Sequence, residues 1–334
     1  MVIALSLGGC SSDDQEAAPK TAWSLVFEDL DAALISVTGR SADDVWTVGA
    51  DAGDGPLILH FDGERWTRAR VAESADLWWV HIADENTIVC AGSQGTILRG
   101  NLESGFTREE TPGSSTVYGV FGTPSDLWAV GGDADVSPGF VWRNQGEGWR
   151  DVSSDVSAEP LPPVFKLWGT APDDLWFVGM NGLAFHFDGQ RFEIAESGTT
   201  RRLFTVHGTG QTPAAYTAVG GFGSAVIVEH DGREWRDVTP EEPPNMLFGV
   251  SMLDGERGYA VGDDGTVVSR SARGWSDEDT GLKITNPFHS VWVDPSAGVW
   301  AVGGDVITPA LNRGMLLHGA PTAAAAAISN EIKD

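Results

Sequence analysis

The segment Asp43-Asp44-Val45-Trp46-Thr47-Val48-Gly49 decides the fold, because the chain repeats it. Close copies read Asp126-Leu127-Trp128-Ala129-Val130-Gly131 and Asp173-Asp174-Leu175-Trp176-Phe177-Val178-Gly179. Weaker copies end at further glycines, and the full set of marker glycines is Gly49, Gly92, Gly131, Gly179, Gly220, Gly262 and Gly303. Successive markers are 43, 39, 48, 41, 42 and 41 residues apart, and a repeat of about 42 residues is the spacing of propeller blades.

Each copy contains four short strand patterns. An apolar run such as Leu34-Ile35-Ser36-Val37 comes first, and the marker segment forms the second strand. A third strand ends at a tight turn such as Asp62-Gly63, since Asp-Gly readily supplies the positive φ of a type I′ turn. An aromatic residue opens the fourth strand: Trp66, Phe106, Trp149, Phe192, Trp235 and Trp275. The sequence therefore predicts an all-β, seven-bladed β-propeller of four-stranded antiparallel blades.

The seventh copy has no fourth strand of its own after His318-Gly319. The missing piece lies at the other end of the chain, where Trp23 precedes Gly49 by 26 residues, as Trp66 precedes Gly92. We therefore expect residues 21–27 to complete the last blade and to close the ring.

Nine of the 14 tryptophans fall in two columns of the repeat. The second-strand column contains Trp46, Trp128, Trp176 and Trp300, and the fourth-strand column contains Trp23, Trp66, Trp149, Trp235 and Trp275. Tryptophans at repeat spacing are typical of a core, so we expect them to fill the wedges between blades and not to stack on a carbohydrate.

The charge balance excludes one class of partner. The chain of 334 residues has 48 acidic against 21 basic residues, a formal charge of −27. Nucleic-acid binding needs a basic face and is therefore excluded, whereas basic partners or divalent ions are favoured.

Two cysteines, Cys10 and Cys90, cannot build a disulfide framework, and Cys90 is expected to be a small buried apolar residue.

The N-terminal segment Leu7-Gly8-Gly9-Cys10 resembles the lipobox of bacterial lipoproteins. The resemblance implies export, lipidation of Cys10, and anchoring at the outer membrane or cell surface, with Ser11 suiting outer-membrane sorting. No Lys or Arg precedes the apolar stretch, so we expect the true start to lie upstream. The predicted units are 1–20, a signal remnant and tether; 21–319, the propeller; and 320–334, an Ala-rich tail that is frayed or loosely helical.

The seven histidines form two groups. His60, His186, His230 and His318 recur just before the third-strand turn, where we expect them to order it. His81, His207 and His289 lie on or just after first strands, nearest the axis. Such a group could bind a metal or act as acid and base, although no HxH or HExxH spacing supports a metal.

The first strands give the best indication of a functional surface. Two of their columns vary while the flanking columns stay aliphatic or aromatic, so we interpret the variable positions as released from packing or recruited for something else. Lys166, in one of these columns, is one of only four lysines and is either paired with an Asp of a neighbouring blade or an anion or sugar contact. The candidate channel-mouth residues are Lys166, His81, His207, His289, Trp79, Trp168 and Trp292.

Acidic loops offer a weaker hypothesis. Aspartates that recur before second strands are explained by bonding to loop backbone. Candidate Ca²⁺ ligands are Asp51, Asp54, Asp133, Asp135, Asp263 and Asp264, but none matches a full calcium-loop spacing. We expect no other cofactor and no catalytic residue.

The repeat, with its Trp-x-Val-Gly and His-Phe-Asp-Gly elements, resembles bacterial exported BNR-like and YVTN-like propellers from about residue 21 to 319. Sialidases share this class, but their Asp-box separates Asp from Gly, whereas Asp62-Gly63 is contiguous. Photosystem-assembly propellers are also conceivable, without a motif that selects them. The resemblance implies a monomeric binding or scaffold lipoprotein with a protein or glycan partner; the alternative is a glycan hydrolase or lyase using paired carboxylates.

Overall fold

The computed structural model describes residues 21–133, 137–307, 310–321 and 327–333. In these ranges the regular structure is almost entirely β-strand, with one four-residue helix, α1 (Ser153–Val156). No helix in these ranges is long and apolar enough to cross a membrane.

The strands group into sheets of four antiparallel neighbours, taken in chain order. The chain enters with β1 (Thr21–Leu30), which belongs to the seventh blade. The first blade contains β2 (Leu34–Ser41), β3 (Asp44–Asp51), β4 (Pro56–Phe61) and β5 (Trp66–Arg68). The second contains β6 (Leu77–Asp84), β7 (Thr87–Gly92), β8 (Ile97–Asn101) and β9 (Gly105–Arg108). The third contains β10 (Val117–Thr123), β11 (Asp126–Asp133), β12 (Ser137–Asn144) and β13 (Trp149–Asp151).

The remaining blades repeat this order. The fourth contains β14 (Val164–Ala171), β15 (Asp174–Gly179), β16 (Ala184–Phe187) and β17 (Phe192–Ile194). The fifth contains β18 (Leu203–Gly208), β19 (Tyr216–Phe222), β20 (Ser224–His230) and β21 (Trp235–Asp237). The sixth contains β22 (Leu247–Met252), β23 (Gly258–Gly262), β24 (Val267–Ser271) and β25 (Gly274–Asp277). The seventh contains β26 (Phe288–Val293), β27 (Val299–Asp305), β28 (Asn312–Pro321) and β1. The predicted seven-bladed propeller is confirmed.

The ring is closed by the N-terminal strand, as the spacing of Trp23 predicts. β1 pairs antiparallel with β28, with Trp23 opposite Gly319 and Leu25 opposite Leu317. The innermost strands of the blades contact one another in a complete circle, from β2 through β26 and back to β2. These strands therefore surround the axis, and the seventh blade is held together by both ends of the propeller.

The blades are joined by seven apolar clusters, each made of residues from two adjacent blades. The aromatic residue of a second strand meets the fourth-strand aromatic residue of the next blade. We call the contact between two adjacent blades a seam and number it by the first of the two blades; the seam between the seventh and first blades is the closing seam. The ring centroids of Trp176 and Trp235 are 5.1 Å apart at the fourth seam, and those of Trp300 and Trp66 are 6.3 Å apart at the closing seam. Both pairs are edge-to-face, a favourable arrangement of aromatic rings. The prediction that the two tryptophan columns fill the wedges is confirmed.

The marker glycines permit a close backbone approach. A Cβ on Gly179 would lie 2.3 Å from the carbonyl oxygen of Pro163, and one on Gly220 would lie 2.0 Å from that of Arg202. In every blade the carbonyl that would be struck belongs to the residue just before the first strand. The marker is therefore glycine because the end of the second strand presses on the start of the first.

Of the Ala-rich tail, residues 322–326 lie outside the described residues, and only the last residues can be compared with the expectation of a frayed or loosely helical segment, from which they differ. Residues 332–333 form β29 (Ile332–Lys333), which pairs parallel with β5 and places Ile332 opposite Trp66. The Trp66 indole N–H donates to the carbonyl of Ser329 at 3.0 Å, and Ile328 and Ile332 pack on the core of the closing seam. The cause of the correction is the apolar pair of isoleucines beyond the alanines, which covers an otherwise open sheet edge.

Candidate functional site

The first strand of every blade carries a β-bulge at the same place. In the fourth blade the pairing passes from Val164 opposite Gly179 to Lys166 opposite Val178, so Phe165 has no partner across the ladder. The same step leaves one unpaired residue in each blade: Ile35, Trp78, Tyr118, Phe165, Phe204, Phe248 and His289. A bulge re-aims its extra side chain, and these bulges present theirs to the axis.

Six of the seven bulge residues form a closed circle of ring contacts, which we call the axial ring. Its members are Trp78, Tyr118, Phe165, Phe204, Phe248 and His289. Neighbouring ring centroids are 5.4 to 5.9 Å apart. Ile35, the bulge residue of the first blade, is fully buried and is not part of the circle. The contact between Trp78 of the second blade and His289 of the seventh blade closes the circle there.

The axial ring lines an open cavity of about 380 Å³, which we call the axial cavity. Methionine and aliphatic side chains from neighbouring loops continue its wall: Met180, Met246, Val306 and Ile307. Phe222 stands at the mouth with 76% of its surface exposed, and Ile307 with 55%. Large apolar side chains at such exposure around a concave apolar site are typical of a surface that binds something.

The hairpin between β19 and β20 holds Phe222 at the mouth. Directly after Phe222, Gly223 supplies the positive φ that the turn of this hairpin needs. The Arg201 guanidinium donates to the backbone carbonyls of Phe222, at 3.2 Å, and of Ala225, at 2.7 Å. Arg202 lies over Phe222, with its guanidinium carbon 5.3 Å from the ring centroid. These contacts position an exposed aromatic side chain that has no role in the core.

Lys166 lies at the side of the axial cavity and is only 4% exposed. Its ammonium group donates to the Tyr118 carbonyl at 2.6 Å and sits 3.7 Å above the centre of the Trp79 ring. Burial holds the pKa of Lys166 well below its usual range. No carboxylate of the described residues lies within ion-pair distance of it, so the expected Asp partner from a neighbouring blade is not found in that part of the chain.

The predicted channel-mouth residues separate into different places. Lys166 and His289 line the axial cavity, and Trp79 lies behind Lys166. The other four residues belong to a column three positions after the bulge residue of each first strand, which is about 10 Å along the strand. They are His81, Trp168, His207 and Trp292. Of these, His81, Trp168 and His207 join an arc of aromatic contacts with Phe121 there. The structure thus brings together only part of the predicted set.

The interpretation of the variable columns as released from packing is wrong, because their side chains bond one blade to the next. The Trp79 indole donates to the Val120 carbonyl at 3.0 Å, and the Trp168 indole to that of Gly208 at 2.8 Å. The Thr205 hydroxyl donates to the Phe248 carbonyl at 2.7 Å. Similar bonds join other blades through Ser36, His81, His207, Ser251 and Ser290. We call these residues, together with Lys166, the link positions.

The three first-strand histidines, His81, His207 and His289, are uncharged at neutral pH, and each contacts the backbone of the next blade. Burial lowers the pKa of His81 to about 4 and that of His207 to about 3. Burial, followed by the charge of Lys166, lowers the pKa of His289 to about 4. His207 Nδ1 accepts a hydrogen bond from the Met252 N–H at 3.0 Å, and His289 Nδ1 lies 2.8 Å from the Ile35 carbonyl. The described residues contain no group of three or more metal-ligating side chains.

The third-strand histidines order more than a turn. His60 Nε2 lies 2.8 Å from Asp44 Oδ1, and His186 Nε2 lies 2.8 Å from Asp174 Oδ1. Both aspartates belong to the marker segments, so His and Asp clamp the second strand to the third. His230 Nδ1 does accept from the N–H of Gly232 in its turn, at 3.2 Å. The prediction of turn ordering is therefore confirmed for His230. For His60 and His186 it missed the bond to an aspartate of the second strand.

The acidic loops bond to their own backbone. Asp51 Oδ1 accepts from the N–H groups of Gly53 and Gly55 at 2.7 and 3.0 Å, and Asp263 Oδ1 accepts from the N–H of Asp264 at 3.0 Å. Asp133 accepts from Ser137. Asp135 and Cys10 lie outside the described residues. Cys90 is fully buried as predicted, and burial raises the pKa of its thiol.

Comparisons with known proteins support the fold. No family model matches the chain, so membership of a BNR-like or YVTN-like family stays a prediction. A curated relative, the photosystem II assembly lipoprotein Ycf48 of Picosynechococcus sp. (strain ATCC 27264 / PCC 7002 / PR-6), is 29% identical over 104 residues. That match spans 29% of this chain and 31% of the relative's length.

Solved propellers superimpose over nearly the whole chain. YCF48 from Cyanidioschyzon merolae has a TM-score of 0.65 at 14% identity and covers 90% of this chain and 99% of its own. A structure described as YCF48 bound to D1 peptide has a TM-score of 0.63 at 12% identity, with the same coverage. The WD40 β-propeller domain of Doa1 has a TM-score of 0.68 at 11% identity, covering 92% and 100%. At these identities the likeness shows the fold alone.

The axial ring carried a signal that sequence reasoning missed. Two residues before the aligned aliphatic position of each first strand, an aromatic ring recurs in six of seven repeats. Aromatic columns at repeat spacing are typical of cores, and the tryptophan columns follow that rule. The bulge that turns this column to the axis leaves no local mark in composition.

Proposed function

We propose that this chain is a non-catalytic binding propeller, exported and anchored by a lipid on Cys10 at the outer membrane or cell surface. In this proposal it acts as a monomer and holds a segment of a partner protein at the mouth of the axial cavity. The observation that carries the proposal is the exposed apolar rim, Phe222 and Ile307, around a cavity walled by six aromatic rings. Burying such a surface against a partner is favourable because apolar area leaves water.

Two comparisons support a protein partner over other ligands. The curated relative is named as an assembly lipoprotein, and one neighbour in fold is described as bound to a peptide. A glycan could also stack on aromatic rings, but glycan sites need several polar groups beside the rings. The walls of the axial cavity, as far as they are described, are mostly apolar.

Among the described residues, the axial cavity does not offer the chemical groups that the alternative, a glycan hydrolase or lyase, needs. Such enzymes use a pair of carboxylates roughly 5–10 Å apart. No Asp or Glu is among the described residues that line the axial cavity. A binding role requires no such pair.

The test compares two pairs of exposed apolar side chains. Phe222→Ser/Ile307→Ser removes the rim, whereas Leu102→Ser/Ile194→Ser removes two exposed apolar side chains that are not among the residues described along the axial cavity. Each protein without residues 1–20 is cross-linked in envelope extract of the source cells. We expect a specific partner to be lost with the rim variant and retained with the matched control. Equal capture by both variants, or binding only to a glycan array, would contradict the proposal.

The anchor is tested separately. Metabolic labelling with a palmitate analogue should mark the native protein and not Cys10→Ser, and the variant should leave the membrane fraction. Unlabelled native protein in that fraction would contradict lipidation without bearing on the axial cavity.

A further inference from the structure

Lys166 is a buried amine with unfilled hydrogen-bonding capacity, and burial disfavours its charged form. An ammonium group has three N–H donors. One bonds to the Tyr118 carbonyl, and the Trp79 ring face lies against the group. The described residues place no carboxylate within 4.0 Å of it. Because an uncompensated buried charge is costly, an anion bound beside this side chain at the open cavity would stabilise its ammonium form.

The charge around the cavity supports an anionic occupant. In a chain with a formal charge of −27, the charged side chains described along this cavity are the cations Lys166 and Arg202. Arg202 also lies over Phe204, 5.9 Å from the ring centroid. The axial cavity is therefore a positive recess in an acidic protein, and charge complementarity favours anions over cations there.

The walls restrict the kind of anion. The axial ring and the methionines around it need an apolar body to cover them, and a cavity of about 380 Å³ holds a group of small-ligand size. One buried ammonium with donors to spare matches the single charge of a carboxylate. A phosphate monoester carries about −1.5 to −2 charges at pH 7 and would bring more charge into this apolar site than Lys166 balances.

We propose that the axial cavity binds an apolar carboxylate, with its apolar body against the axial ring and its carboxylate bonded to Lys166. The carboxylate can belong to a free aromatic acid or to the apolar end residue of a peptide. The inference uses the cavity of the proposed function, but it does not require the partner to be a protein.

The experiment uses probes that differ only in the carboxylate. N-acetylphenylalanine and its primary amide are titrated into the protein by calorimetry. Hydrogen bonds to charged groups make a net contribution of about 1.5–3 kcal/mol, so we expect the acid to bind about tenfold or more tightly than the amide. In Lys166→Met this preference should disappear, whereas in Lys283→Met, which removes an exposed lysine, it should persist.

A third probe distinguishes the sources of the carboxylate. If 3-phenylpropionate binds as tightly as N-acetylphenylalanine, a free acid satisfies the site. If N-acetylphenylalanine binds more tightly, the site also recognises peptide backbone. Both results support the proposal.

Three results would overturn it: equal affinity for acid and amide, no binding of either, or an unchanged preference in Lys166→Met. The comparison of acid and amide on the native protein stands even if Lys166→Met does not fold. Loss of protein capture by the rim variant is a separate measurement, so the proposed function and this inference can fail independently.

Discussion

Two neighbouring sets of residues on the innermost strands, the axial ring and the link positions, differ in what they do. Phe204 belongs to the axial ring and faces the axial cavity, whereas the next residue, Thr205, is 6% exposed at the cavity wall and bonds the fifth blade to the sixth. The same contrast separates Phe165 from Lys166, which also lies at the cavity wall. A single bulge between the two sets gives adjacent residues opposite surroundings.

This contrast reverses a natural assumption about repeats. Variable positions suggest freedom from packing and uniform apolar positions suggest core, but here the variable positions hold the blades together and the uniform aromatic one lines a cavity. Different polar side chains serve as links because each only has to reach one backbone group of the next blade. An aromatic side chain recurs at the bulge because rings 5.4 to 5.9 Å apart support one another around the axis.

The largest expected effect comes from removing the space that allows the bulge. In Gly179→Ala the new Cβ would meet the Pro163 carbonyl at 2.3 Å, so either the bulge or the marker strand must shift. We expect the free energy of unfolding to fall by about 3 kcal/mol, measured by urea titration. Gly113→Ala is the control, since its Cβ meets nothing closer than 3.4 Å. Equal stability of the two variants would contradict the claim that the marker glycine is needed for this close backbone approach.

A link position should matter for stability and not for the cavity. The Ser36 hydroxyl accepts from the buried N–H of Val80 at 3.2 Å, across the first seam. Ser36→Ala leaves that N–H without its partner, which costs about 2 kcal/mol in urea unfolding. Binding of the partner captured by the native protein should be unchanged. A stability loss below about 0.5 kcal/mol would show that the link bonds are incidental.

The smallest effect concerns acid. Burial lowers the pKa of His207 in the folded protein to about 3 from the ordinary value of 6.5, so the unfolded chain takes up the proton first. Its contribution to stability is therefore complete above pH 6.5 and is lost as the pH falls toward 3. Asn in place of His207 can still accept from the Met252 N–H without titrating. From pH 7 to 5.5, the free energy of unfolding of His207→Asn in urea should fall by about 1 kcal/mol less than that of the native protein, and parallel losses would contradict a neutral, buried link.

The fold was predictable because its determinants are local and repeated. Seven glycines at steady spacing, the Asp-Gly turns and the 26-residue offset of Trp23 together predict the blades and their closure. Lys166 and His289 were found as cavity residues because they lie on first strands and carry unusual chemistry. The axial ring could not be predicted in this way, because the bulge is visible only in the strand pairing. Leu203 pairs with Gly220 and Thr205 with Val219, which leaves Phe204 unpaired. The pairing of Ile332 with Trp66 joins distant segments, and no repeat marks it.

The most direct test of the central contrast is thiol accessibility at one position of each set. In protein without residues 1–20, Phe204→Cys and Ser251→Cys are each treated with a maleimide under native conditions, with the fully buried Cys90 as internal reference. Ser251 is 2% exposed, bonds the sixth blade to the seventh and is not among the residues described along the axial cavity. We predict rapid labelling at position 204, and at position 251 labelling only as fast as the protein opens. Equal rates, or faster labelling at 251, would contradict the division between a cavity-lining ring and a sealed set of links.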